Sequence, residues 1–146
     1  MKITICGSIA FFDEMLKAKK ELEDMGHEVD LPPTEIKNGE GKMIPVAEYY
    51  RIRKSENPDA WVWDAKKVAM LTHFKKEEWA DVILVLNIEK NGVAGYVGAN
   101  TLIEMGLALF LDKPIYLLND IPEISSKEEI VGMQPIVING DLTKIK

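Results

Sequence analysis

Cysteine is almost absent from this 146-residue chain. Cys6 stands alone, which excludes an internal disulfide framework and any multi-cysteine zinc site. Histidine is equally scarce: His27 and His73 lie 46 positions apart without ligand spacing. Long hydrophobic runs are missing too. The opening MKITICGSIA has about five apolar residues before a glycine turn, shorter than a secretory core and far below the ~18 that span a bilayer. No membrane partner is expected, and the reducing cytoplasm is the expected compartment. Positive charge is also in deficit. A formal net charge of -6 disfavours attraction to a phosphate backbone, so no polymeric nucleic acid partner is expected. Two glycine signatures are lacking as well. GEGK at 39–42 has Met43 where a P-loop needs Ser or Thr, and no G-x-G-x-x-G follows the first apolar run.

What is present is enough apolar residue, 47%, to bury one core, so a single domain over 1–146 is expected. KITIC at 2–6 is β-branched and runs into Gly7 and Ser8. Phe11, Met15, Ala18, Leu22 and Met25 then recur at helical spacing up to Gly26, and HEVDL at 27–31 reads as a second strand. Strand, helix and strand of this length form a βαβ unit with parallel pairing. Residues 32–60 break the pattern with Pro32, Pro33, Gly39 and Gly41, and form an irregular insertion expected to act as a lid or an interface.

A helix from about Asp59 to Trp79 is expected to turn Val68 and Leu71 toward the sheet. It feeds the apolar strand 81–86. ANTLIEMGLALFL reads as a helix buried nearly all round, followed by strands PIYLL at 114–118 and PIVI at 135–138, with a short helical piece at 126–133 between them. Five short apolar strands alternating with helices specify an α/β fold: a doubly wound, open, parallel five-stranded sheet. Ligands bind such sheets beyond the strands' carboxyl ends where the strand order reverses, here the loops 6–10 and 87–101.

Glu104 is the only charged residue between Gly98 and Leu111. A carboxylate removed from water must be paired, protonated or turned to a polar cleft, which makes it a candidate nucleophile or general base. The competing reading is a T-x-x-E capping box with Thr101. Asn100 and Thr101 share a helix face with Glu104, and Ala108 continues that face without bulk. Gly92, Gly95 and Gly98 are expected to leave backbone N–H groups accessible at the helix start. Ser8 either caps its helix or holds a ligand oxygen. Arg51 and Arg53, the only arginines, are either solvated or placed to bind a phosphate. Tyr49, Tyr50, Trp61, Trp63 and Tyr96 offer either a stacking face or packing contacts. His73 is either a packing residue or a catalyst.

Taken together, CGSI at 6–9, ADVILVLN at 80–87 and GANTLIEMGLA at 98–108 followed by KPIYLL resemble the nucleoside 2-deoxyribosyltransferase superfamily, which includes the deoxynucleoside 5'-monophosphate N-glycosidases. The resemblance covers most of the chain except roughly 32–60. It implies a flavodoxin-like sheet, a homo-oligomer, a nucleoside or nucleotide as substrate, and Glu104 as the nucleophile at an anomeric carbon, with no metal and no cofactor needed. His73 stands where the monophosphate hydrolases carry an aspartate. Gly7, Ser8, Ile9, Asn87, Tyr96, Gly98, Asn100 and Thr101 are the implied substrate contacts. The chain departs from the family at three further places: Gly98 replaces the transferases' acidic residue, Thr4 the hydrolases' first-strand tyrosine, and their arginine after CGSI is missing. Gly95–Glu104 also resembles, loosely, the loop of the cytokinin-activating phosphoribohydrolases. A nucleotide-sensing domain without catalysis and an interaction role for residues 49–63 are the alternatives.

Overall fold

The β-branched run at the start of the chain forms strand β1 (Lys2–Cys6), and the amphipathic stretch after it forms helix α1 (Phe12–Asp24), in a computed structural model that describes residues 1–146. The remaining elements of the main sheet are β2 (Glu28–Asp30), α3 (Trp61–Trp79), β5 (Val82–Val85), α4 (Ala99–Phe110), β6 (Ile115–Leu117), α5 (Lys127–Gly132) and β7 (Ile136–Val137). The five strands are all parallel and run in the order β2-β1-β5-β6-β7. The order reverses between β1 and β5, where Cys6 lies opposite Val85. This is the expected doubly wound α/β sheet.

Alternation along the strands divides the core between the two faces. Ile3, Ile5, Val82, Leu84 and Leu86 pack with α1 residues Met15, Ala18 and Leu22. Cys6, Ile83, Val85 and Leu117 pack on the other face with Met105 and Ala108 of α4. Each fully buried aliphatic side chain contributes roughly 1.5–3 kcal/mol, so covering both faces supplies most of the stabilisation.

The segment 32–60 is more ordered than its composition suggests. It forms an antiparallel hairpin of β3 (Glu35–Lys37) and β4 (Met43–Pro45), then α2 (Val46–Arg53). Ile36, Tyr49 and Val62 make a small separate core that holds it to the start of α3. The Tyr49 hydroxyl donates to the Val62 carbonyl oxygen at 2.7 Å.

Two helix orientations differ from expectation. Val68 and Leu71 do not face the sheet; they are 62% and 51% exposed, and α3 turns Val62, His73 and Glu77 inward instead. The inward face follows the polar residues because they meet one another beneath a cavity, a tertiary contact invisible to hydropathy. Helix α4 is not buried all round either. It buries Thr101, Glu104, Met105 and Ala108 while Ile103, Leu109 and Phe110 lie exposed, Phe110 at 84%, because only one face can reach the sheet and α3.

Candidate active site

The turn after β1 is tight. Gly7 has φ of +154°, and a side chain there would bring Cβ to 3.1 Å from the Leu86 carbonyl oxygen. A cavity of about 310 Å³ opens beyond this turn at the strand reversal. Gly7, Ser8 and Ile9 line it from the β1 side, and Tyr96, Gly98, Asn100, Thr101 and Glu104 from the loop and first turns of α4. His73 reaches it from α3. The insertion supplies the remaining wall through Pro33, Ile36, Tyr49, Tyr50 and Arg53.

Glu104 sits at the floor, with 3% of its surface exposed. Its Oε1 accepts a hydrogen bond from Asn100 Nδ2 at 2.8 Å, and Oε2 has no partner. Burial raises its pKa from 4.5 to about 8, against the opposing pull of the Cys6 thiol, Lys66 and Asn100. The capping-box reading therefore fails: the helix is capped by Gly98, Thr101 lies within its first turn, and the carboxyl group bonds a side-chain amide.

His73 Nε2 lies 3.8 Å from Glu104 Oε1 and 3.5 Å from Cys6 Sγ. Burial, with Lys76 nearby, lowers the imidazole to about 4. Between pH 4 and 8 both partners are thus mainly neutral, and the contact is not an ion pair. Beneath them lies Glu77, fully buried, with neither carboxyl oxygen bonded. Burial first and repulsion from Glu104 second raise it to about 8. Sequence reasoning missed Glu77 because it lies in the charged run KKEE, which reads as a solvated surface. Its (i, i+4) spacing from His73 was the available signal.

Cations surround the upper cavity. Lys90 Nζ donates to Ser8 Oγ at 3.0 Å and lies 5.0 Å from the Tyr96 ring centre, while Ser8 Oγ also accepts from the Ala10 amide. Ser8 thus caps its own turn and faces the cavity at once. Lys66 Nζ donates to Asn100 Oδ1 at 3.2 Å, and burial followed by Arg53 lowers its pKa. Arg53 lies 4.0 Å from the Tyr50 ring centre. Burial alone would raise the Tyr50 phenol, but Arg53, with Lys90 and Lys54, holds it below its ordinary value. Arg51 and Trp63 stay exposed away from the cavity, and Trp61 packs against Tyr49 at 6.1 Å between ring centres.

One implied contact, Asn87, lies elsewhere, and so do Ala108, Gly92 and Gly95. Asn87 does not line the cavity: it is fully buried, its Nδ2 donates to the carbonyls of Asn119 and Asp120 at 3.0 Å each, and its Oδ1 accepts from the Asn119 amide. It joins the ends of β5 and β6, because a fully buried side-chain amide needs partners and these part-buried backbone groups supply them. Ala108 is packed in the α4 core, one turn too deep for a ligand. Gly95 serves a close approach, with φ of +67° and room for Cβ only 2.5 Å from the Asp120 carbonyl oxygen. It and Gly92 border a separate surface depression with Asn119 and Asp120.

The sheet order and the site at its reversal define a flavodoxin-like α/β protein. No protein-family model matches the chain, and no curated protein sequence matches it. Among solved structures, a 2-deoxyribosyltransferase from the psychrotolerant bacterium Bacillus psychrosaccharolyticus is 20% identical, with 81% of this chain and 72% of that chain covered at a TM-score of 0.50. A conserved protein from Enterococcus faecalis V583 is 16% identical, covering 92% of this chain and 74% of its own at a TM-score of 0.46. The first of these likenesses supports the fold. No helix is long and apolar enough to cross a membrane.

Proposed function

We propose that this protein cleaves or transfers at the N-glycosidic bond of a nucleoside or nucleoside 5'-monophosphate, with Glu104 as nucleophile. The observation that carries the reading is a single carboxyl group, desolvated and oriented by Asn100, at the floor of a cavity sized for a small molecule. An ionised Glu104 attacks the anomeric carbon as the bond to the base breaks, the bonding electrons leave with the base, and the base takes up a proton. Water or a second base then displaces Glu104. His73, in contact with Glu104, is placed to relay the proton: it is neutral at rest, and ionisation of its neighbour raises its affinity for a proton.

The upper cavity suits the remainder of such a substrate. Tyr50 and Tyr96 offer aromatic surface to a base, while Arg53 and Lys90, beside those rings, and Lys66 favour a phosphate. The exposed Ile103 and Phe110 on one stripe of α4 support the homo-oligomer that the resemblance implies. A binding role without turnover has one observation in its favour, namely that no carboxyl group other than Glu104 lines the cavity.

Incubation with a panel of deoxynucleosides and their monophosphates, with base release followed by chromatography, separates the two. Release by the wild type but not by Glu104→Gln supports the enzyme. Saturable binding without release by either protein refutes it in favour of the binding role.

A further inference from the structure

Four side chains that hydropathy and spacing keep apart meet under the cavity floor: Cys6 at the end of β1, His73 and Glu77 one turn apart on α3, and Glu104 on α4. All are buried, and one potential ligand atom from each lies within 4.8 Å of all the others. Cys6 Sγ lies 3.5 Å from His73 Nε2, and that nitrogen lies 3.8 Å from Glu104 Oε1. Ligand atoms held tetrahedrally at ~2.0–2.3 Å from a zinc ion stand about 3.3–3.8 Å apart, so the 3.5 and 3.8 Å pairs already fit and the widest pair closes by about 1 Å on loading.

The cluster is also incomplete in a particular way. Both oxygens of Glu77, Oε2 of Glu104 and Nδ1 of His73 are buried without a hydrogen-bond partner. Protons alone do not resolve this, because a protonated Glu77 would still carry a buried donor and acceptor with nothing in reach. A central cation supplies a partner to one atom of each side chain, including the wholly unpartnered Glu77 carboxyl group, and offsets the charge of two carboxylates and a thiolate.

We propose that Cys6, His73, Glu77 and Glu104 bind a single divalent transition-metal ion of the zinc class. Sulfur, nitrogen and carboxylate oxygen together suit Zn²⁺, Co²⁺ or Fe²⁺, whereas the thiolate and imidazole disfavour Mg²⁺ and Ca²⁺. Ligation expels the thiol proton and any carboxyl protons to solvent. The site stands independently of the sugar-transfer reading but constrains it. An ion that engages Glu104 removes the nucleophile, so metal-loaded protein is the inactive form and chelation releases it.

The test uses the full chain, stripped with a chelator, dialysed and titrated with Zn²⁺ against a chromophoric competitor, and separately with Co²⁺. One ion per chain is expected, with a Co²⁺ spectrum showing tetrahedral d–d bands and a thiolate charge-transfer band. Cys6→Ser abolishes that band, and Cys6→Ser and Glu77→Gln each weaken Zn²⁺ binding by at least ~100-fold. Glu77→Gln removes a buried acid and keeps its shape, and circular dichroism verifies its fold. The exposed neighbour change Glu78→Gln leaves affinity unaltered. Binding no tighter than in Glu77→Gln, or a Co²⁺ complex without the thiolate band, overturns the site. Base release in the same samples keeps the two readings apart. Zinc binding without release in chelated protein leaves the metal site standing and sinks the glycosidase. Release without zinc binding does the reverse.

Discussion

Replacing Glu104 by Gln in chelator-treated protein is expected to inactivate the site and stabilise the fold together. The unfolded carboxyl group titrates near 4.5 and the folded one near 8, so the native state keeps a proton over a range in which the unfolded chain has lost it. Stability from this group is therefore complete below pH 4.5 and declines as pH rises toward 8. At pH 7 the interval is about 2.5 pH units, and at ~1.4 kcal/mol per unit the full penalty is about 3 kcal/mol. Glutamine keeps the oxygen that accepts from Asn100, and its amide is no worse placed than a carboxylic acid O–H, so it avoids the penalty at little new cost. The variant should gain about 2–3 kcal/mol at pH 7, roughly 5–10 °C in Tm for a chain of this size, and the gain should vanish near pH 4. Urea or thermal unfolding at several pH values measures this. Base release should fall by at least ~10³-fold. A variant less stable than wild type at pH 7, or a gain that does not shrink on acidification, refutes the picture of a desolvated carboxyl group held against its will.

Other consequences follow from the same geometry. In metal-free wild type, base release at subsaturating substrate should rise with pH and level off near 8 as Glu104 ionises; a profile flat from pH 6 to 8 contradicts its role as nucleophile. Asn87→Ala should destabilise by about 3 kcal/mol in denaturant titrations, since it removes three hydrogen bonds from a fully buried amide at about 1 kcal/mol each. A loss under ~1 kcal/mol would refute its role in joining the two strand ends. Gly95→Ala should cost about 2 kcal/mol or more from a Cβ 2.5 Å from a carbonyl oxygen and an unfavourable φ, with refolded protein retaining nucleotide binding because the cavity is not touched. Lys90→Ala should raise KM for a deoxynucleoside monophosphate by ~10-fold while changing KM for the nucleoside little, measured by the same chromatography.

Local chemistry determined a large part of this protein. Apolar runs bounded by glycine and proline placed all five parallel strands, and helical crossovers dictated their parallel pairing, so the strand reversal and the cavity beside Gly7, Ser8 and Glu104 followed from the chain itself. An isolated acid in an apolar helix also announced itself, because burying it needs a reason. Tertiary structure alone decided which helix faces turn inward. Val68 and Leu71 obey a hydrophobic period yet face outward, while His73 and Glu77 turn in to meet Cys6 and Glu104. Asn87, polar and at a strand end, read as a ligand contact until its fixed backbone partners appeared at β6. The physical reason is common to these cases. Propensity and period act between neighbours in the chain, whereas the partner that makes a buried polar group tolerable lies tens of residues away and exists only once the chain has folded.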